Sequence, residues 1–162
     1  MKIGCRLAAP ADAALMRDLT LAAWRGTVPD NSTALGETVE YVRELLGRGG
    51  GLIVTVDGEP AGSVRWFPVP HPKPSWEIKR LGVVPRWRGH DLGRLMMMRI
   101  DEHGRAAGIE RLQLGIRSDQ PALARFYETL GFTHDANVRL SATNPNTAPP
   151  IALSKLLPGS PA

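Results

Sequence analysis

The chain has little cysteine, no long apolar run and none of the standard nucleotide fingerprints. Its single cysteine in 162 residues, Cys5, excludes an intrachain disulfide and fits a reducing compartment. On a first strand it reads as a small core residue rather than a nucleophile. No apolar stretch approaches a membrane span, and the N-terminus carries no signal-peptide apolar region, so the expectation is a cytoplasmic protein with no membrane partner. Neither GxxxxGK(S/T) nor GxGxxG occurs, which removes the phosphate loop and the dinucleotide motif. No His/Cys group has metal-ligand spacing, so no metal is expected. The 20 basic residues outnumber the 16 acidic ones by four. They form no basic stripe interleaved with aromatics, and nucleic acid is not an expected partner.

What is present suits one α/β domain over residues 1–162. Hydrophobic content of 43% and charged content of 22% are ordinary for a globular protein of this size. Ile3 to Leu7 reads as a strand. A helix over Ala11 to Trp24 follows, with Leu15, Leu19 and Ala22 at helical spacing. Ser32 or Thr33 can cap a second helix carrying Leu35, Val39, Val42 and Leu46, which Gly49-Gly50-Gly51 ends. Leu52 to Val56 and Ala61 to Phe67 form a hairpin about Asp57-Gly58. Pro68 to Pro74 is a proline-rich loop.

Trp76 to Val84 is the next strand. A helix from Leu92 to Ala107 presents Leu92, Leu95, Met96 and Ile100 on its apolar face and divides the Met96-Met97-Met98 triplet between faces. Ile109 to Ile116 is a strand, Pro121 opens a helix ending at Gly131, Phe132 begins another strand, Asn144 to Pro150 is a surface loop, and Ile151 to Leu157 is the last strand, after which the chain frays. The order is β-α-α-β-β-β-α-β-α-β-β around a mixed sheet of about seven strands with four helices.

The densest chemistry lies at Leu81 to Gly93, LGVVPRWRGHDLG. A strand runs through a basic, glycine-containing loop into a helix start. The first amides of a helix have no internal partner, and its dipole is positive there. Gly89 and Gly93 let backbone approach a ligand, while Arg86, Arg88 and Arg94 add forked donors suited to phosphate. Such a turn binds anions.

Arg88-Gly89-His90-Asp91-Leu92-Gly93 resembles the R/Q-x-x-G-x-G/A pyrophosphate loop of the GNAT family of N-acetyltransferases. Arg125-Phe126-Tyr127-Glu128-Thr129-Leu130-Gly131-Phe132 is similar to that family's LYEKLGF helix end, and the two motifs are separated by one strand, as in the family. The resemblance covers nearly the whole chain. It implies the acyl-CoA N-acyltransferase fold, acetyl-CoA as acyl donor, and direct transfer in a ternary complex to a primary amine of a small molecule or peptide. A non-catalytic acyl-CoA-binding or sensor domain of the same fold is the alternative, and Asp91 is the residue that favours it. Assembly is left open between a monomer and a homodimer.

Several site residues follow from the resemblance. Backbone of Leu81, Gly82 and Val83 resembles the strand that pairs with the pantetheine arm. Arg88, Gly89, His90, Asp91, Leu92, Gly93 and Arg94 hold the diphosphate, and Phe126 packs beside the cofactor. Tyr127 matches the family tyrosine that points at the cofactor sulfur and serves as general acid; packing in the core is its other reading. Glu77 stands eleven positions before Arg88, the offset of the base glutamate in the family's histone acetyltransferases. Parity places it on the side of Leu81 and Val83 unless a bulge intervenes, and a strand carboxylate paired with Lys79 or Arg65 is the other reading. His71 is a second base candidate. Two residues depart from the pattern: Asp91 stands where glycine is usual, and Gln120 stands seven before the tyrosine where asparagine is frequent. On the acceptor side, Asp30, Glu37 and Glu40 have two readings, an attraction for a cationic amine and plain surface charge.

Overall fold

Alternating and helical patterns in the chain become eleven elements. The structure, a computed structural model, describes residues 1–141 and 148–159. In order they are β1 (Ile3–Leu7), α1 (Ala13–Trp24), α2 (Val39–Arg48), β2 (Gly50–Val56), β3 (Glu59–Val69), β4 (Ser75–Val83), α3 (Leu92–Ala106), β5 (Arg111–Ile116), α4 (Pro121–Glu128), β6 (Thr133–His134) and β7 (Ile151–Leu156). The strands are hydrogen-bonded in the order β1-β2-β3-β4-β5-β7-β6. The β4–β5 ladder is parallel, and β1–β2, β2–β3, β5–β7 and β6–β7 are antiparallel. This is the element order and the mixed sheet that the sequence predicts.

Contacts gather the chain into two compact units, Met1–Phe67 with Lys79–Met96, and Pro68–Ile78 with Met97–Ala162. In the first, α1 buries Ala13, Met16, Leu19, Thr20 and Ala23. Met16 and Leu19 pack with Val42, Leu46 and Ile53. Of the predicted Leu15, Leu19 and Ala22, Leu19 lies in this core and Leu15 packs against it, while Ala22 does not. Leu15 is half-buried and Ala22 is exposed, and Pro10–Asp12 forms a 3-10 turn, so the helix starts later than predicted. The second helix also begins later than expected. Ser32 caps only a 3-10 turn over Thr33–Gly36, its Oγ accepting from the Ala34 amide at 3.3 Å. Thr38 caps α2 itself by accepting from the Tyr41 amide at 3.1 Å. Gly49 ends α2, but Gly50 and Gly51 already belong to β2. A Cβ at Gly50 would lie 2.7 Å from the Trp66 ring, and one at Gly49 only 1.9 Å from the Trp66 carbonyl oxygen. The run serves close packing on β3 as well as termination.

In the second unit, β5 is registered along its whole length with β7, Arg111 opposite Leu156 through Ile116 opposite Ile151. Strand β6 is only Thr133–His134, and Phe132, expected to begin it, is a buried residue before it. The proline-rich loop is shorter than predicted, since β3 continues through Pro68 to Val69. Most of the expected loop from Asn144 to Pro150, and the end of the fraying tail, lie outside the described residues. Met96 and Met97 are buried and Met98 is exposed, so the triplet is ordinary packing and rim.

Two glycines test this packing in opposite directions. A Cβ on Gly62 of β3 would sit 2.6 Å from the Gly82 carbonyl oxygen, a backbone atom that cannot move cheaply. Gly62→Ala should cost about 1–3 kcal/mol, as overpacking does. Gly47, in α2, has nothing within 4 Å of its would-be Cβ, so Gly47→Ala should stabilise by about 0.5–1 kcal/mol. Denaturant melts of both variants check the pair; a neutral Gly62→Ala would refute the close β3–β4 approach.

Candidate active site

The first unit holds the loop. Strand β4 ends at Val83, and the Val84 amide still donates to the Ala61 carbonyl at 2.8 Å. Pro85–Trp87 then makes a 3-10 turn, closed by the Trp87 amide on Val84 O and the Arg88 amide on Pro85 O. Gly89 follows at φ 81° and Asp91 at φ 59°. The first helical bond of α3 runs from the Leu95 amide to Asp91 O at 3.0 Å. The amides of Leu92 and Gly93 therefore come before the internal ladder, at the positive end of a fifteen-residue helix. Asp91 takes the left-handed backbone that favours glycine, which explains the family's preference there. Aspartate tolerates that region better than most residues, so this departure leaves the turn intact.

Side chains brace the same turn. Arg88 Nη2 donates to the Ala23 carbonyl at 2.7 Å, tying the loop to the end of α1. His90 Nδ1 lies 3.2 Å from Trp87 O and 3.1 Å from Arg88 O. In the tautomer with its proton on Nδ1, the ring donates into the loop. Arg86 meets Glu59 at 3.3 Å on the surface and stacks over Trp87 at 5.0 Å. Trp87 was not singled out from the sequence, yet its Nε1 is buried with no hydrogen-bond partner among the described residues. A buried orphan donor is unfavourable. A Trp inside an Arg/Gly loop was the available signal for it. Glycine at 82 is required as well, since a Cβ would come within 2.8 Å of Ala23 and the Trp24 ring nitrogen. Unladdered helix-end amides and an open, left-handed Gly89 are what a diphosphate takes, so the residues present fit the CoA diphosphate.

Within β4, Arg80 sits at φ 60°, a left-handed residue inside a strand. This irregularity breaks the simple alternation, and the parity linking Glu77 to Leu81 and Val83 does not carry across it. Glu77 and Ile78 are consecutive yet both buried.

The second unit holds Glu77, Phe126 and Tyr127. Glu77 is 2% exposed. Its Oε1 accepts from Gln113 Nε2 at 2.8 Å and from the Ser141 amide at 2.9 Å, and its Oε2 accepts from Ser141 Oγ at 2.5 Å. Gln113 also donates to the Arg139 carbonyl and accepts from Arg111. Neither Lys79 nor Arg65 is the partner of Glu77. The carboxylate instead ties the segment around Ser141 to β4. His71, in the proline-rich loop, is exposed, and its Nδ1 accepts from the Lys73 amide at 3.0 Å.

Tyr127 is 8% exposed, on α4. Its ring meets Phe126 edge-on at 5.0 Å and Phe132 at 5.8 Å. Burial pushes its phenol above the ordinary tyrosine range, because desolvation disfavours the phenolate. Gln120 stands at the N-cap position of α4, before Pro121.

Known proteins share this architecture. The chain is 36% identical over 76 residues to a mycothiol acetyltransferase of Nocardiopsis dassonvillei, covering 47% of this chain and 19% of that protein, about a fifth of its length. The fold superposes on a PaiA N-acetyltransferase from Thermoplasma acidophilum in complex with coenzyme A, with TM-score 0.77, 14% identity, and 96% and 99% of the two chains covered. It also superposes on the ribosomal-protein-S18-alanine N-acetyltransferase from Escherichia coli, with TM-score 0.77, 16% identity, and 99% and 97% covered. At these identities the two likenesses are of fold. A model of the Acetyltransferase (GNAT) family matches residues 14–132. With that match spanning most of the chain and both motifs folded as described, the chain belongs to the Acetyltransferase (GNAT) family.

Proposed function

We propose that the chain transfers an acetyl group directly to a primary amine of a small molecule or peptide, with donor and acceptor bound together. One observation carries the reading: the turn from Val84 to Gly93, with left-handed Gly89 and Asp91 and unladdered helix-end amides. The donor supplies a thioester carbonyl that is already electrophilic, so no side-chain nucleophile is needed. The loop residues Arg88 to Arg94 bind and orient the diphosphate, and backbone of Leu81 to Val83 lines the pantetheine arm. Tyr127 holds a proton for the departing sulfur. A buried phenol with a raised pKa keeps that proton at neutral pH. For Glu77 we infer an anchoring role, since three donors already engage its oxygens. A base needs a lone pair turned to the amine, and solvent then takes the amine's proton.

Arg88→Ala should weaken CoA binding about tenfold, the scale of one lost charge-assisted hydrogen bond. Calorimetry with CoA reads this, and unchanged affinity removes Arg88 from the diphosphate site. Asp91→Gly restores the residue that suits φ 59° and removes a carboxylate from the anion site. Affinity for CoA should hold or rise; a large fall would give Asp91 a direct contact with the cofactor.

Tyr127→Phe keeps the ring between Phe126 and Phe132 and removes only the hydroxyl. The rate of the first turnover should fall by about 10²-fold, the low end for a positioned acid, because a thiolate leaves fairly well already. Since the phenol's pKa is raised, Tyr127 stays protonated below pH 10. The wild-type pH–rate profile should therefore show no alkaline decline there from this group. An unchanged first-turnover rate in Tyr127→Phe ends the acid assignment.

A further inference from the structure

Beneath the segment joining α1 to α2 lies a buried ionic cluster. Arg65 of β3 is 0% exposed. Its Nη2 donates to Glu37 Oε1 at 2.7 Å and to Thr20 Oγ1 at 3.1 Å. Arg80 takes the other carboxylate oxygen, Nε to Oε2 at 3.1 Å, and its Nη2 reaches Thr33 Oγ1 at 3.1 Å. Two arginines therefore share one carboxylate. Arg17 bonds only the main-chain oxygen of Glu37, at 2.9 Å, and faces Asp18 on the surface. Tyr41 is the other titratable group acting on Arg65. Asp30 and Glu40 are exposed.

The surplus is therefore positive, and it shows in the donors. Nε and Nη1 of Arg65 are buried without a hydrogen-bond partner among the described residues. Together these atoms carry three N–H bonds. A half-compensated buried cation with unused donors is costly unless a second acceptor completes it. A water would satisfy hydrogen bonds but not charge. The reading in which Glu37 attracts a cationic amine is thus reversed for the buried part of this region, because Glu37 is already taken by two cations.

We propose that Arg65, held by Glu37 and beside Arg80, is a carboxylate subsite for the acceptor, which is then an amine of the amino-acid or short-peptide class. This rests on the acyl-transfer reading above. The turn Thr33–Gly36 and Glu37 cover the cluster, fastened by the Arg80–Thr33 and Arg17–Glu37 bonds. The Arg80 side chain is 12% exposed, so the cluster meets solvent there. Seating a carboxylate on Arg65 requires the turn Thr33–Gly36 to shift while Glu37 stays on Nη2.

The test measures free-CoA release with amino acids and dipeptides, each beside its own carboxamide, and with polyamines as acceptors without a carboxylate. The acids should exceed their amides in kcat/KM by about 10²-fold, the scale of a charge-assisted bond exchanged for a neutral one. In Arg65→Met that ratio should fall to near one, with a thermal melt showing that the variant folds. If it does not fold, the wild-type melting temperature decides: an N-acetyl amino acid should raise it and the matching amide should not. Equal turnover and equal melting shifts for acid and amide overturn the subsite while acyl transfer stands. Turnover of polyamines alone does the same. No turnover of any amine, with CoA still bound, overturns the subsite and the acyl-transfer reading together.

Discussion

A charge buried in a protein interior must be met by partners, and that requirement fixes the two loops of this fold that periodicity leaves open. Arg65 and Glu77 are buried on strands where apolar side chains are usual. Arg65 dictates where Glu37 must lie, and with it the turn before α2. Glu77 dictates where Ser141 must lie, and with it the chain after β6. Removing either charge would leave its partners buried and unpaired, which costs more than the bond itself. Each loop is thus fastened by polar bonds to a buried charge within its own unit, and the one before α2 also buries Val28 and Ala34.

The same distinction decides what was legible in the sequence. Strands and helices announce themselves because burial repeats along them, and β1, β4, α3 and α4 lie within two residues of where the pattern puts them. The phosphate-type turn was legible because glycines and arginines cluster before an apolar helix. Side-chain partnerships were not. Glu77 offers Lys79 and Arg65 as nearby cations, yet it bonds Gln113 and Ser141, the latter 64 residues away. Nothing local to Glu37 announces that Arg65 and Arg80 will share it, 28 and 43 residues on. Such pairs are set by the sheet, after the chain has folded. Likewise, the left-handed backbone at Arg80 has no glycine to mark it.

The departures from the family motif gain a common explanation from how the loop works. Its donors are mainly backbone amides and a helix end, so the constraint falls on φ and ψ rather than on side-chain identity. Asp91 satisfies it at φ 59° without being glycine, and Gln120 stands at the start of α4 outside the loop altogether. A site made of backbone conserves a fold more than a sequence. The arginine on β3 is the opposite kind of feature, a side chain whose chemistry no backbone can replace. In the subsite proposed at Arg65, acceptor choice would instead rest on a buried side chain, and changing it would also cost the turn that Glu37 anchors.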